Sequence, residues 1–149
     1  MKKIQMIGII IILILLSGIF LISPYSPLNK ITVNGETIKI PDGYTIKNTT
    51  NVGTTISNKT NQLSIYPSEA EDLEAETAKY KEKYSEGYNI TIQKFETNKK
   101  QEIYKTVAQD ETKVITKYWF KHNNKTFIVQ SKNAVADTDN VVQKLVNSI

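Results

Sequence analysis

Residues 113–131 read KVITKYWFKHNNKTFIVQS, and this stretch decides the fold. Its two halves are rich in β-branched and aromatic residues, which favours β-strands. Asn123 and Asn124 stand between the halves, and asparagine tolerates the positive φ angles that a two-residue type I′ turn requires. Because a loop of two residues fixes the register of a hairpin, Phe120 is predicted to lie opposite Phe127.

This register places apolar side chains on both faces of the hairpin. Tyr118 is predicted to lie opposite Val129 on one face, since alternate residues of a strand point to opposite sides. Trp119 is predicted to lie opposite Ile128 on the other face. Strands with apolar residues on both sides are typical of a sheet that is covered on both sides.

Other segments predict further strands. Ile31–Val33 and Glu36–Ile40 flank Asn34-Gly35, the residue pair that most favours a two-residue hairpin turn. Pro41-Asp42-Gly43 ends the second of these strands. Three more strand regions alternate apolar and polar residues or are rich in strand-forming residues. They are residues 52–57 with 62–66, residues 88–93, and residues 102–108.

The first predicted helix follows Pro67. Ser68 and Glu71 have the spacing of a capping box, and Gly87 is placed just beyond the last turn as a C′ residue. Acidic residues precede basic ones along the segment, which suits the helix dipole. One stripe of the helix is apolar or aromatic and would face the sheet. Its members are Ala70, Leu73, Thr77, Tyr80 and Tyr84.

A second helix is predicted at the carboxyl end, where Asp137 or Asp139 supplies the cap. Its buried stripe would consist of Val141, Val142, Leu145, Val146 and Ile149. The elements together predict an α+β fold, with an antiparallel sheet of about seven strands and two covering helices, preceded by one transmembrane helix.

Residues 4–22, IQMIGIIIILILLSGIFLI, carry no charge and predict that transmembrane helix. Nineteen helical residues span about 28 Å, close to the thickness of a hydrocarbon core. A cleaved signal peptide is the alternative, but it would have a shorter apolar run and small residues before the cleavage site. The tail here is Ile19-Phe20-Leu21-Ile22. We therefore interpret the segment as an uncleaved signal anchor.

The charges around the anchor predict its orientation. Lys2 and Lys3 precede it, and the positive flank stays cytoplasmic. Residues 1–3 would then be cytoplasmic, residues 23–29 a short proline-containing stalk, and residues 30–149 an extracytoplasmic domain. The predicted location is the cell membrane, with a single pass.

Composition excludes several classes of site. The 149-residue chain has no cysteine, which excludes disulfides, thiol nucleophiles and cysteine–metal centres. All 19 basic residues are lysines, so the bidentate fork that recognises phosphate or guanine is missing. Without Lys2 and Lys3 the net charge falls from +4 to +2. We expect no nucleic-acid partner, no metal and no cofactor.

The layout of residues 30–149 resembles the PsbP-like fold of small extracytoplasmic proteins, including the PsbP and DcrB families. The resemblance rests on Ile38-Lys39-Ile40-Pro41-Asp42-Gly43-Tyr44, on Leu63-Ser64-Ile65, and on the ending from Asp139 to Ile149. Proteins of this type are mostly non-enzymatic accessory or assembly modules, and the resemblance implies such a role. No ligand site of the family maps onto residues of this chain.

Four sequons make N-glycosylation possible in an extracytoplasmic domain. Three are expected at loops or turns, and Asn89 on the outward face of its strand. A chain rich in Asn, Lys and Thr also forms sequons by chance. The four asparagines are Asn48, Asn58, Asn89 and Asn124.

The titratable side chains that could bind a cation or act in catalysis have simpler structural interpretations. Asp72 and Glu76 are four residues apart and could bridge a cation, although a solvated helix face is the alternative. Asp137-Thr138-Asp139 begins like a calcium loop but lacks the later glycine and glutamate, which favours a helix cap. His122, beside a turn, has no local acid or nucleophile. No phosphate-binding or serine-hydrolase motif occurs in the sequence.

The candidate partner surface is the Trp119 face. An aromatic residue among lysines could meet a protein or an anionic surface polymer, and the alternative is that a helix covers this face as a second core. The residues of this candidate patch are Trp119, Ile128, Lys117 and Lys121.

These features predict a membrane-anchored extracytoplasmic accessory, assembly or interaction module that is not an enzyme. Its partners would be the membrane, through residues 4–22, and a protein or surface polymer outside it. The alternative is a module that binds a small molecule or a surface polysaccharide in a cleft between sheet and helix.

Overall fold

The computed structural model describes residues 29–133 and 137–149. They form nine strands and two helices, so the predicted α+β class is confirmed for this part of the chain. The elements are β1 (Lys30–Val33), β2 (Glu36–Lys39), β3 (Thr45–Thr49), β4 (Thr54–Ser57), β5 (Gln62–Ser68), α1 (Leu73–Tyr84), β6 (Asn89–Glu96), β7 (Glu102–Gln109), β8 (Val114–His122), β9 (Lys125–Ser131) and α2 (Thr138–Val146).

The β8–β9 hairpin has the predicted register. Phe120 pairs with Phe127, and the Tyr118–Val129 and Trp119–Ile128 pairs are also as expected. Asn123 and Asn124 have φ angles of 48° and 59°, the left-handed values that a two-residue hairpin turn needs.

Seven strands form one sheet in the order β3-β4-β5-β9-β8-β7-β6. Every neighbouring pair in it is antiparallel. In the strand ladder the β3–β4–β5 meander meets the hairpins of the second half at β5 and β9, where Leu63 pairs with Ser131 and Ser68 with Thr126. β1 and β2 form a separate two-stranded sheet.

The larger core lies on the face of the seven-stranded sheet that α2 covers. Phe120 and Phe127 stack there with their ring centroids 5.5 Å apart. Helix α2 contributes the fully buried Val142 and Leu145 to the same cluster, and the β1–β2 hairpin adds Ile38. The predicted buried stripe of the second helix is thus confirmed, with Val141 and Ile149 partly buried at its margin.

A buried asparagine connects four segments beside this core. The Asn61 side-chain amide donates to the Tyr44 hydroxyl and to the Thr138 hydroxyl, both at 3.2 Å. Its carbonyl accepts a hydrogen bond of 3.1 Å from Ser131. Because a buried polar group is stabilising only when it is satisfied, Asn61 fixes the start of α2 against the β4–β5 turn.

Asp139 attaches the first turn of α2 to the sheet. Its carboxylate accepts hydrogen bonds from the Lys105 ammonium at 2.8 and 2.9 Å and from the Tyr118 hydroxyl at 2.5 Å. Burial alone raises the pKa of Asp139, but these two donors outweigh it and the pKa is lowered. Asp139 therefore remains ionised as the partner of Lys105.

The structure differs from the prediction at the start of the first helix. Ser68 is the last residue of β5, where it pairs with Thr126, so it cannot serve as the N-cap. The cap is Asp72, whose carboxylate accepts from the Ala75 amide at 3.0 Å. Helix α1 ends at Tyr84 with Ser85 as C-cap, so Gly87 lies one residue beyond C′.

The antiparallel sheet of about seven strands is confirmed within the described residues, but the strands that form it differ from the prediction, because β1 and β2 lie in a separate sheet. Residues 45–49 form the unpredicted edge strand β3, whose five residues are all exposed and carry no apolar alternation. Val52 lies in the turn before β4 and is 66% exposed, so β4 begins two residues later than expected. No helix within residues 29–133 and 137–149 is long and apolar enough to cross a membrane. The predicted anchor, residues 4–22, and the flanking residues up to 28 lie outside the described residues.

Candidate functional site

Helix α1 covers part of the second face of the sheet, which carries the predicted partner patch. The strand register aligns a row of side chains across this face, with Trp119 at its centre. The row runs through Tyr66, Ile128, Trp119, Tyr104 and Lys94.

Trp119 and Ile128 are buried beneath α1 rather than exposed. They are 4% and 5% accessible and form a second core with Leu73. The Tyr80 ring meets Trp119 edge-on at 5.9 Å. The indole N–H of Trp119 donates to the Thr106 hydroxyl at 3.2 Å, so its polar atom is satisfied inside the protein. The alternative of a second core is therefore confirmed for Trp119 and Ile128, because the helix uses them as its packing surface and they are not exposed to a partner.

The two lysines of the patch hold α1 in place. The Lys117 ammonium lies 4.6 Å from the Tyr80 ring centroid and 5.6 Å from that of Trp119, within range of cation–π attraction. Burial and the nearby charge of Lys83 lower the pKa of Lys117. The Lys121 ammonium donates to the Glu71 carbonyl at 2.7 Å, just before the helix begins.

Next to this row, the same face carries further polar side chains on β4, β5, β8 and β9, of which Tyr66 and Lys117 adjoin α1. The Tyr66 hydroxyl donates to the Gln130 amide oxygen at 3.0 Å, and the Thr55 and Ser64 hydroxyls are 3.1 Å apart. Each of these side chains is half-buried. Burial and the neighbouring Tyr80 raise the pKa of Tyr66 to about 12, so its hydroxyl stays protonated. We call Thr55, Ser64, Tyr66, Gln130 and Lys117 the open polar face.

Two other concave regions are lined by charges of both signs. One, of about 570 Å³, lies at the start of α1, where Asp72 and Glu74 face Lys99 and Lys100. The other, of about 590 Å³, lies beside the Lys105–Asp139 pair. In each region the described acidic and basic groups can neutralise one another.

His122 has an acidic neighbour that sequence reasoning missed. Its Nε2 atom lies 3.8 Å from a carboxylate oxygen of Glu36, which the β1–β2 hairpin brings to the β8–β9 turn. Lys125 donates to the same carboxylate at 2.8 Å and to the Asn34 carbonyl at 2.9 Å. The hydrogen bond from Lys125 is the main reason why the pKa of Glu36 is lowered. Through Glu36, His122 and Lys125, the β1–β2 hairpin is attached to the β8–β9 turn.

The acidic side chains considered as cation ligands have other roles in the structure. Asp72 caps α1, and Glu76 lies 4.0 Å from Lys79. Asp137 occupies the N-cap position of α2 without a side-chain capping bond. Within the part of the chain that the structure describes, no three His, Asp or Glu side chains are grouped to hold a metal ion.

The four sequon asparagines are all exposed, although their settings differ. Asn48 lies in β3 rather than in the loop that the sequence suggested. The Asn58 side chain already accepts hydrogen bonds from the Thr60 and Asn61 amides. Asn89 begins the other edge strand and Asn124 lies in the β8–β9 turn.

Comparison with known proteins gave no match to a family model, a curated protein or a solved structure. The PsbP-like resemblance therefore stays a prediction from the sequence.

We predict that Trp119→Ala lowers the free energy of unfolding by about 3–5 kcal/mol, because it empties the centre of the second core. The exposed Val52→Ala should change it by less than about 0.5 kcal/mol. Urea denaturation of the full chain in detergent, followed by circular dichroism, measures both. An unchanged stability of Trp119→Ala would mean that α1 does not cover this face.

Proposed function

We propose that this chain is a single-pass membrane protein whose residues 30–149 form an extracytoplasmic, non-catalytic accessory, assembly or interaction module. The observation that carries the proposal is the uncharged run of residues 4–22, which precedes a compact folded unit in the sequence. The cytoplasmic side would hold residues 1–3, since the positive flank stays inside.

The packing of the domain supports a tethering role. The described residues supply a core on each face of the sheet and the helices that cover it, so the apolar centre needs no second chain. Few large hydrophobic side chains are exposed among the described residues, as suits a contact that forms and dissociates outside the membrane. An anchor would raise the effective concentration of this surface near partners in the same membrane. The partner would be a protein or a surface polymer.

Cysteine labelling of intact cells tests the topology, because the chain has no cysteine of its own. Asn51→Cys, in the exposed turn between β3 and β4, should react with a membrane-impermeant maleimide. A cysteine in a tag placed before Met1 should react only after the cells are lysed.

The matched control is the double variant Ile12→Lys and Leu15→Lys. Each lysine at the centre of the span costs about 2.5–3.5 kcal/mol of insertion free energy, so this chain should leave the membrane fraction. Recovery of the unaltered full chain in the soluble fraction, or labelling of the tag in intact cells, would contradict the proposal.

A surface polysaccharide is the second candidate partner, and the open polar face favours it. The face offers hydroxyls, an amide and a half-buried tyrosine, with the Lys117 ammonium at one end. Sugar rings present apolar faces and hydroxyls, which such groups complement. The site would be this open surface rather than the expected cleft between sheet and helix.

Retention of the detergent-solubilised chain on immobilised polygalacturonate and on dextran tests this candidate. Gln130→Ala should weaken retention about 5- to 10-fold, as loss of one satisfied polar contact does. Gln109→Ala is the matched control, since Gln109 is an exposed glutamine that ends β7 on the other face. Retention on neither polymer, or equal losses in both variants, would contradict polysaccharide binding.

A further inference from the structure

The seven-stranded sheet has two edges that are built differently. β3 is only five residues long, carries Lys47, and its pairing with β4 shifts register between Ile46 and Asn48. A short strand, a bulge and a lysine are devices that protect an edge from further pairing. β6 has eight residues without proline and pairs with β7 at eight successive positions without a shift. The edge at β6 also carries a lysine, Lys94, but it is longer than β3 and has no bulge.

The turn that follows β6 shows which of its backbone groups face outward. The Thr97 amide donates to the Gln101 carbonyl at 2.9 Å, so these two residues form the hydrogen-bonded pair that closes the hairpin. Hydrogen-bonded and non-hydrogen-bonded pairs alternate along an antiparallel ladder. The N–H and C=O groups of every second residue of β6 therefore point away from β7. These residues are Ile90, Ile92, Lys94 and Glu96.

Nothing in the described part of the chain covers the middle of this edge. Residues 91–94 are exposed on both faces of the sheet, so neither helix extends over them. No hydrogen bond from another described residue outside β7 reaches the outward backbone groups. Ile92 is 36% exposed and is one of the exposed large hydrophobic residues in this region.

We propose that β6 is an interface that pairs antiparallel with β6 of a second copy of this chain, about a two-fold axis at Ile92. The outward N–H of Ile92 would donate to the Ile92 carbonyl of the second copy, and the Ile92 N–H of the second copy would donate to the Ile92 carbonyl of the first. Ile90 of each copy would lie opposite Lys94 of the other copy. These three residue pairs would form about six backbone hydrogen bonds. The two sheets would become one continuous sheet.

Charge and hydropathy favour a second copy of this chain as the partner and Ile92 as the position of the two-fold axis. Moving the axis to Lys94 would set the two Lys94 ammonium groups opposite each other, which is destabilising. With the axis at Ile92, the exposed isoleucines cover each other and Lys94 keeps its 2.7 Å ion pair with Glu102. In this register no like charges lie opposite each other when β6 pairs with β6 of a second copy. Such a self-complementary contact is the kind that a two-fold dimer requires.

Disulfide cross-linking of the full chain tests this pairing. In Ile92→Cys the two Cα atoms would be about 5.5 Å apart, within the about 4.4–6.8 Å that a disulfide spans. Mild oxidation should convert most of this variant to a covalent dimer. Glu96→Cys on the same edge should remain monomeric, since its two copies would lie about 27 Å apart. Lys47→Cys on β3 should also remain monomeric.

A proline substitution separates backbone pairing from side-chain contact. Lys94→Pro is combined with Ile92→Cys. The proline removes an outward N–H group but leaves every hydrogen bond to β7 in place, so dimer formation should fall at least about 5-fold. Lys94→Ala keeps that N–H and should retain the dimer. Trp119 fluorescence checks that each variant is folded. Equal cross-linking of Ile92→Cys and Glu96→Cys, no dimer in Ile92→Cys, or a disulfide adduct with a different protein would overturn the proposal.

Discussion

The β8–β9 hairpin carries large apolar side chains on both faces, and the rest of the structure depends on covering both. Phe120 and Phe127 need α2 and the β1–β2 hairpin above them, while Trp119 and Ile128 need α1 below. Burial of one such side chain contributes roughly 1.5–3 kcal/mol, which is large beside the net stability of a domain. Neither helix could leave the sheet without exposing one of these clusters.

This constraint decides which surfaces are free for function. The most conspicuous aromatic residue, Trp119, is used to hold α1, and Lys117 and Lys121 assist it through the Tyr80 ring and the Glu71 carbonyl. The sheet extends further than α1 covers, which leaves the open polar face on β4, β5, β8 and β9. The same arrangement leaves the β6 edge unpaired. The proposed partner contacts lie on these two surfaces, although Tyr66 and Lys117 of the open polar face also adjoin the second core.

The sequence predicted the features that depend on near neighbours. The Asn123-Asn124 turn determines the register of the central hairpin from within it, so all three cross-strand pairs were predictable. Ser68 has a local capping signal, but its pairing with Thr126, far along the chain, keeps it in β5. β3 has no apolar alternation and forms because β4 offers it an edge. The approach of Glu36 to His122 arises from tertiary packing, which no local pattern records.

Amide hydrogen exchange of the full chain in detergent tests most directly whether the doubly covered hairpin organises the fold. Amides that exchange only through global unfolding identify the most stable elements. We expect the slowest exchange at the paired amides of β8 and β9, and fast exchange in β3, which is exposed along its whole length. Exchange in β8 and β9 as fast as in β3 would contradict the account.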